Sequence, residues 1–235
     1  MNNNQQILYI DPMVDFGFKK IFKDSSKKQL IIRPLNAIFG LEIEDIDIRE
    51  SEQLGLTEQE RKVTYDMHCT AKDGQSFIFE VQLADQPYFM ERAIFYSART
   101  FSQKGQPGKW DYDFKPVFFL GLLNFDIRHL EPEKADPEQF IHKFSLLEDT
   151  THEKMSRALR FAFMEVARFN KNKEECETFE ERFLYLMKNL PTFAEKPRIV
   201  GRPLFQRVYG TSRICQHDLR GTGALYRFHE AEVGL

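Results

Sequence analysis

Two carboxylates and one amide lie on neighbouring segments that alternate between apolar and polar residues. Asp66 belongs to the segment from Val63 to Ala71, and Glu80 and Gln82 belong to the segment from Ser76 to Leu83. Carboxylate and amide oxygens are hard ligands of the kind that Mg²⁺ and Mn²⁺ prefer. Two carboxylates repel each other at close range unless a cation or a proton lies between them. These residue types therefore indicate a divalent-metal site, provided that the two segments bring them together.

The loop between the two segments predicts their register. The three residues Lys72-Asp73-Gly74 separate them, and Asp-Gly between alternating segments is a strong hairpin signal. A two-residue loop would place the apolar residues of one strand opposite the polar residues of the other, whereas a three-residue loop keeps the apolar faces together. A three-residue loop also favours a left-handed residue at its end, which Gly74 supplies. The predicted register sets Asp66 directly opposite Glu80.

The same alternation is also typical of a strand with one face in water. Under that interpretation Asp66 and Glu80 are ordinary solvated residues, and periodicity alone does not separate the two possibilities. His68 lies on the same predicted face and is a candidate ligand or base, although a histidine beside Ile78 is more often a packed, hydrogen-bonded residue.

Other elements must position this hairpin. Amphipathic patterns predict helices at Asp15–Phe22, Lys27–Phe39, Pro87–Gln103 and Glu180–Leu190, and strands at Leu41–Arg49, Lys115–Phe125 and Phe140–Leu147. The near-continuous apolar run within Lys115–Phe125 is typical of a central strand buried on both faces. Ser156–Phe169 fits neither period cleanly and stays open between strand and helix.

Composition limits the class of protein. The chain has 235 residues, 42% of them hydrophobic and 29% charged, with a net charge of −3. This balance excludes disordered and fibrous proteins, and a histone-like global field for nucleic acid is also excluded. The length favours one large domain or one domain with an appendage.

The cysteines and the N-terminus bear on the compartment. Three scattered cysteines without a C-x-x-C pattern signal neither a disulfide framework nor a thiolate zinc site. The polar N-terminus lacks the features of a signal peptide, and the longest apolar run, Val117–Leu123, is far too short to cross a membrane. We therefore expect a cytoplasmic protein without a membrane partner.

An ordered set of short motifs resembles the Rpn family of recombination-promoting nucleases, also called transposases, within the PD-(D/E)XK nuclease superfamily. The resemblance covers about Ile10 to Asn189 and rests on the following segments: Asp15-Phe16-Gly17-Phe18-Lys19-Lys20-Ile21-Phe22, Leu35-Asn36-Ala37-Ile38-Phe39-Gly40, Tyr65-Asp66, Phe79-Glu80-Val81-Gln82, Glu91-Arg92-Ala93-Ile94-Phe95-Tyr96, Lys115-Pro116-Val117 and Leu123-Asn124-Phe125.

The resemblance implies a fold and an activity. The expected fold is α/β, a restriction-endonuclease-like core with a mixed central sheet flanked by helices and a mostly helical C-terminal extension. We place the core at residues 1–150 and the extension of the same domain at residues 151–235, with a tail at 213–235 that departs from the family's usual ending. The expected activity is Mg²⁺- or Mn²⁺-dependent cleavage of DNA, with a role in recombination or mobile elements.

The resemblance also assigns roles to single residues. Asp66 and Glu80 match the two acidic residues, Asp15 matches the acidic residue of the first helix, and Gln82 stands where the wider superfamily usually has lysine. Glutamine supplies neither positive charge nor a titratable base, so more of the task falls on the metal.

Metal and phosphate ligands complete the expected site. Asp66, Glu80 and the main-chain carbonyl of Val81 are the expected metal ligands. The expected phosphate ligands are Arg92, Tyr96, Lys19 and, as a lesser candidate, Arg99. Each of these has an ordinary alternative: Arg92 as a helix-surface ion pair with Glu91 or Asp85, Asp15 as a favourable charge at a helix N-terminus, and Tyr96 as core or groove wall.

Two other functions stay open at this point. A catalytically silent DNA-binding or assembly module would also explain Gln82 in place of lysine, and an RNA or nucleotide phosphodiesterase could use the same metal. A homodimer is a reasonable expectation for an enzyme that cuts both strands of a duplex.

Overall fold

The computed structural model describes residues 9–49, 52–53, 63–105, 107–109, 111–127 and 132–193. The helices in these ranges are α1 (Asp15–Phe22), α2 (Gln29–Phe39), α3 (Phe89–Ser102) and α4 (Phe179–Asn189). The strands are β1 (Ile46–Arg49), β2 (Glu52–Gln53), β3 (Val63–Thr64), β4 (Met67–Ala71), β5 (Ser76–Gln82), β6 (Val117–Leu123), β7 (Ile141–Leu147) and β8 (Lys154–Glu165). Short 3₁₀ turns at Ser25–Lys27, Pro132–Lys134, Lys173–Glu175 and Leu190–Thr192 connect some of them.

The main sheet has six strands in the order β1-β4-β5-β6-β8-β7, and β2 and β3 form a separate pair. β5, β6 and β8 are parallel to one another, whereas β1 pairs with β4, β4 with β5, and β7 with β8 in the antiparallel sense. Every residue of β6 is buried, so the predicted central strand is confirmed. The sheet is mixed and carries helices, which confirms the predicted α/β class.

The segment that stayed open between strand and helix is a strand. β8 lies between β6 and β7, and its residues 161–165 are buried. Burial on both faces of the sheet selects apolar residues at every position, which removes the alternation that identifies a strand in the sequence. The sheet therefore crosses residue 150, and residues 151–193 contribute both β8 and α4 to the same fold.

Two apolar cores lie on opposite faces of the sheet. The larger core packs α1, α2 and α4 against one face, and it includes Phe18, Phe22, Phe79 and Phe183, whose rings meet edge-on or tilted at 4.9 to 6.4 Å. The smaller core packs α3 against the other face through Phe89, whose ring lies 6.3 Å from Phe119 and 5.6 Å from Phe163. The strands between the two cores are consequently shielded on both sides.

The hairpin register predicted from the loop is confirmed. Cys69 pairs with Phe77 and Met67 with Phe79, and the residue numbers of each pair add to 146, as 66 and 80 do in the predicted register. The amide of Gly74 donates to the carbonyl of Ala71 at 3.0 Å. Gly74 has φ +90°, the left-handed region that the three-residue loop requires.

The first strand of the hairpin is interrupted, which the alternation did not predict. β3 ends at Thr64, which pairs with Glu52 of β2, and β4 begins only at Met67. Tyr65 packs in the smaller core on the α3 side, whereas Met67 packs in the larger core, so these two residues lie on opposite faces of the sheet. The alternation predicts that Val63, Tyr65, Met67, Cys69 and Ala71 share one face, and this prediction is wrong at Val63 and Tyr65, which both pack in the smaller core. The bend at Asp66 is the physical cause.

Two further expectations concern regions outside the regular elements. The tail at 213–235 lies outside the described residues. Among the helices that the structure describes, none has the length and apolar character needed to cross a membrane.

Candidate active site

Asp66 and Glu80 meet at the point where the first hairpin strand bends. The Asp66 amide donates to Glu80 Oε1 at 3.0 Å, and the Val81 amide donates to Asp66 Oδ2 at 2.7 Å. Gln82 Nε2 donates to Glu80 Oε2 at 3.3 Å. Each carboxylate is thus held by a backbone amide of the opposite strand. At the bend around Asp66, two hydrogen bonds from backbone amides to the Glu80 and Asp66 side chains take the place of backbone–backbone hydrogen bonds between the strands. These contacts bring the two acidic groups together.

Glu80 is buried and Asp66 is half-buried. Glu80 is only 3% exposed and Gln82 8%, because α3 covers this face through Phe89 and Ala93, which pack in one core with Ile78. The interpretation of this face as a solvated polar surface is therefore wrong.

Burial and mutual repulsion change the acidity of the pair. Burial, followed by the negative charge of Asp66, raises the pKa of Glu80 to about 8. Burial also raises the pKa of Asp66, although the hydrogen bond from Val81 opposes this effect. Within the described residues, neither carboxylate forms a direct ion pair with a lysine, arginine or histidine. Among the described residues the pair therefore has no cation of its own, and a proton on Glu80 or an added cation must offset the repulsion between the two carboxylates.

The backbone N–H and C=O groups of Val81 lie on the same side of β5 as Asp66. Ser76 donates to Pro116, and Gln82 accepts from Asn124, so the even-numbered residues of β5 bond toward β6. Neighbouring residues of a strand direct their N–H and C=O groups to opposite sides. The N–H of Val81 reaches Asp66, and its carbonyl points to the same side, beyond the end of β4.

Helix α1 brings two charged residues near the pair. Asp15 and Lys19 form an ion pair across one helical turn at 2.5 Å. The charge of Asp15 raises the pKa of Asp66, whereas that of Lys19 lowers the pKa of both Asp66 and Glu80. Gly17 permits this placement of the helix, because a Cβ there would meet the carbonyl oxygen of Asp11 at 1.8 Å.

Lys23 is a site residue that sequence reasoning missed. It is the C-cap of α1, and burial and then Lys19 lower its pKa, while Asp15 and Asp66 oppose the shift. A lysine after an amphipathic helix is a common feature of sequences, and only its spacing of four residues from Lys19 offered a signal. The structure therefore places two lysines of α1 in the electrostatic field of the acidic pair.

Helix α3 contributes Arg92. Its guanidinium lies 5.2 Å from the ring of Phe89 and 5.9 Å from that of Tyr96, and Nη1 donates to the side chain of Gln86. Nη2 is buried without a hydrogen-bond partner. The positive charge of Arg92 lowers the pKa of both Asp66 and Glu80. The arginine therefore lies close enough to the acidic pair to act on its charge. No motif in the sequence indicated Gln86 as the hydrogen-bond partner of Arg92.

Tyr96 and Arg99 lie farther along the same helix. The Tyr96 ring packs edge-on against Tyr65 at 5.3 Å, in the smaller core. Burial raises the pKa of Tyr65 to about 12, although the hydrogen bond with Thr100 Oγ1 at 2.9 Å and then the charge of Arg99 oppose this shift. The structure therefore brings Tyr96 to the wall beside Arg92, and Arg99 one to two turns beyond it.

His68 is not brought to the pair. Its ring packs against Tyr65 at 5.5 Å, and its Nε2 is buried without a hydrogen-bond partner. Burial, then Lys104 and Arg49, lower its pKa to about 4, so the ring is neutral at physiological pH. The packed role fits His68 better than a ligand role, although the expected hydrogen bond to Nε2 is missing.

The donor set suits a hard divalent cation. Two carboxylates and a main-chain carbonyl are oxygen ligands of the type that Mg²⁺ binds while it keeps several waters. Within the described residues no group of three or more His, Cys, Asp or Glu side chains could hold a metal. Softer cations such as Zn²⁺, which prefer nitrogen and sulfur ligands, are therefore poorly matched to this place.

Comparisons with known proteins identify the family. The family model described as PD-(D/E)XK nuclease family transposase matches residues 12–226, so the match continues well past Asn189, where the sequence resemblance ends. Searches against curated proteins and against solved structures give no significant match. Because the family model spans most of the chain, and because the mixed α/β fold is consistent with it, this protein belongs to the PD-(D/E)XK nuclease family of transposases.

Proposed function

We propose that this protein is a divalent-metal-dependent DNA endonuclease. The observation that carries the proposal is the carboxylate pair of the buried Glu80 and the half-buried Asp66, tied together by backbone hydrogen bonds and, within the described residues, without a directly bonded cation. Such a pair opposes folding unless something neutralises it, and Mg²⁺ or Mn²⁺ would do so. Membership of a nuclease family supports DNA as the substrate.

Asp66, Glu80 and the Val81 carbonyl are the proposed metal ligands. When bound, the cation would lower the pKa of a coordinated water and offset negative charge on the phosphodiester. The hydrogen bonds from the Val81 amide and from Gln82 hold the two carboxylates in place. Preorganised ligands of this kind need little rearrangement when the cation binds.

Gln82 is proposed to orient a water molecule, because its amide group does not titrate. Its amide nitrogen donates to Glu80, which leaves the amide oxygen free to accept a hydrogen bond from an attacking water. It cannot take a proton from that water, so proton removal depends on the metal-lowered pKa.

Positive charge for the phosphate comes from both flanking helices. Arg92 has a guanidinium nitrogen that carries no hydrogen bond and is proposed to hold a phosphate oxygen. Lys19, positioned by Asp15, is proposed to offset phosphate charge from the α1 side. Tyr96 is proposed to position Arg92 through ring contact rather than to contact the substrate.

Plasmid nicking tests this proposal directly. Purified protein should nick supercoiled DNA in Mg²⁺ or Mn²⁺ but not in EDTA, and Asp66→Ala should abolish nicking. Asp113→Ala is a suitable control, because Asp113 is an exposed acid whose side chain pairs with Lys115 in a surface loop. Equal nicking by Asp66→Ala and the wild type would refute the proposal. A matched RNA substrate in the same assay distinguishes DNA from RNA cleavage.

A catalytically silent DNA-binding module is the second candidate. The observation that favours it is Gln82 at the position of the superfamily lysine. It predicts salt-sensitive DNA binding, with log affinity falling linearly against log salt, and no cleavage with any divalent ion. Metal-dependent stabilisation measured by thermal melting separates the two further, because the silent module has no need to retain a cation at Asp66.

A further inference from the structure

Tyr88 is an exposed residue in an unfavourable backbone conformation. Its side chain is 78% exposed, and its φ is +61°, a value that non-glycine residues seldom adopt. Such a conformation is energetically unfavourable and persists where the surroundings or the function require it. Tyr88 is the N-cap of α3, and its carbonyl accepts the amide of Arg92 at 2.9 Å. A large aromatic ring is thus held in solvent one helical turn before Arg92.

Tyr88 begins a stripe of aromatic and cationic residues on α3. Within α3, residues 92, 95 and 99 fall within about 60° around a helix of 3.6 residues per turn, and Tyr88 precedes them at the N-cap. Phe95 is 49% exposed, and Arg92 and Arg99 are half-buried beside it. Aromatic and cationic side chains therefore alternate along one side of the helix. We call Tyr88, Arg92, Phe95 and Arg99 the α3 stripe.

The α3 stripe starts at the acidic pair. Its first cation, Arg92, is close enough to lower the pKa of Asp66 and Glu80. Tyr88 follows Gln82 of β5 by only six residues, across the loop that carries Gln86. A nucleic acid whose phosphate lies at the acidic pair therefore passes over this helix or ends beside it.

The chemistry of the α3 stripe matches unpaired bases. Proteins that bind single strands combine cations that follow the backbone with aromatic side chains on which bases stack. The acidic residues Asp85 and Glu91 are also exposed near Tyr88, and they repel phosphates. Because phosphates are disfavoured around Tyr88 while a base carries no charge, the ring is better suited to a base than to the sugar-phosphate backbone.

We propose that Tyr88 and Phe95 stack on unpaired bases of the DNA strand next to the bond that is cut, so that the preferred substrate carries a single-stranded segment. This inference rests on the proposed endonuclease function. It assigns to the same site a substrate class, namely forked, gapped or single-stranded DNA rather than continuous duplex. A protein partner on the α3 stripe would be the alternative occupant, and the cations beside the acidic pair favour nucleic acid.

The chain offers a matched control for Tyr88. Tyr112 is also a tyrosine with positive φ, +60°, and its side chain is 74% exposed. Its ring lies near Phe114, which stacks on Phe101 at 4.0 Å. Phe101 is twelve residues beyond Phe89, or about 18 Å along α3. A substitution at Tyr112 therefore removes the same kind of ring at the far end of the helix.

The test measures stacking and binding without cleavage. Forked DNA with 2-aminopurine in the unpaired arm, and the same sequence as full duplex, are titrated with protein in Ca²⁺. The wild type should quench 2-aminopurine and bind the fork more tightly than the duplex. Tyr88→Ala should lose the quenching and about 10-fold in fork affinity, as expected for one stacked base. Tyr88→Phe and Tyr112→Ala should behave as the wild type.

A second variant separates lost stacking from misfolding. Tyr88→Gly removes the ring and relieves the unfavourable φ, so its melting temperature should equal or exceed that of the wild type while fork affinity falls as in Tyr88→Ala. Unchanged quenching in Tyr88→Ala, or an equal loss of affinity for fork and duplex, would overturn the stacking role. If quenching behaves as expected but no metal supports cleavage, the endonuclease proposal fails and the stacking role stands.

Discussion

Two buried glutamates on two parallel strands of the main sheet have opposite surroundings. Glu80 on β5 and Glu165 on β8 flank the central strand β6, and they are 3% and 0% exposed. Glu80 faces a second carboxylate, and its pKa rises to about 8. Glu165 faces donors, and its pKa is lowered. The charged form of a buried glutamate is thus disfavoured at Glu80 and favoured at Glu165.

The surroundings of Glu165 satisfy it completely. Oε1 accepts the amide of Ile127 at 2.5 Å, and Oε2 contacts His142 Nε2 and Arg168 Nη1, each at 3.2 Å. Burial alone would raise its pKa, but the hydrogen bond with His142 and then the one from Ile127 outweigh burial. This cluster joins β7, β8 and the loop after β6, which indicates that Glu165 has a structural role.

The comparison shows how a site can be separated from ordinary buried charge. A buried carboxylate with its own cation and hydrogen bonds is explained by stability, whereas a buried pair of carboxylates without one is explained by a ligand that the chain itself does not supply. A cavity of about 300 Å³ lies beside Arg168, lined by residues such as Pro137, Phe140 and Lys171, and not at Glu80. Charge balance, rather than cavity size, therefore identifies the candidate active site.

The largest expected effect comes from neutralising each glutamate in turn. Glu80→Gln should lower nicking activity by about 100-fold or more, because a metal ligand is lost, while folding stability stays equal or rises. Glu165→Gln should lower the free energy of unfolding by about 2 kcal/mol, because His142 and Arg168 lose their charged partner. Nicking assays and urea unfolding of both variants check this. Similar stability losses in both variants would contradict the comparison.

The pH dependence of stability should differ in sign between the two glutamates. Because the pKa of Glu80 is raised, folded metal-free protein binds its proton more tightly than unfolded protein does, and stability falls as pH rises from about 4.5 toward 8. Because the pKa of Glu165 is lowered, its contribution is present above about 4.5 and is lost as pH falls further. Urea unfolding in EDTA from pH 4 to 9 measures both effects.

Two variants test which glutamate causes each part of the pH dependence of stability. Glu80→Gln should remove the fall in stability between pH 4.5 and 8, and Glu165→Gln should weaken the loss on the acid side. A wild-type protein whose stability in EDTA rises steadily from pH 5 to 8 would show that Glu80 does not have the raised pKa on which this prediction depends.

A smaller effect should follow from giving Glu80 a cation of its own. Gln82 already contacts Glu80, so Gln82→Lys places a positive charge beside it and should lower its pKa. We expect the pH profile of nicking to move to lower pH, with a change of only a few-fold in the maximum rate. A pH series of nicking rates for the variant and the wild type measures this, and an unchanged profile would indicate that Glu80 does not limit the rate.

Local chemistry explains why so much of the hairpin was predictable. Gly74, the three-residue loop and the alternation on β5 together predict the register, and each is a property of residues close in sequence. The helices α1, α3 and α4 were likewise predicted nearly to their ends, because each has an apolar stripe of helical period. The family motifs pointed to the same pair of carboxylates.

Long-range packing explains what was missed. The bend that turns Tyr65 into the smaller core has no local signal, because it depends on α3 offering Thr100 and Tyr96 to the tyrosine. β8 could not be recognised, because a strand buried on both faces has no alternation. Lys23 and Gln86 became site residues only through the placement of α1 and of the loop before α3.

The sequence by itself determined which residues are acidic, which loop joins their strands and therefore that Asp66 and Glu80 stand opposite each other, since hairpin register depends on turn geometry and alternation. Only the tertiary structure decided that Glu80 is buried, that Lys19 and Arg92 approach the acidic pair from opposite faces, and that Glu165 has charged partners while Glu80 has none of its own among the described residues. Burial and charge balance are sums over elements distant in the chain, and a pattern within one strand does not contain them.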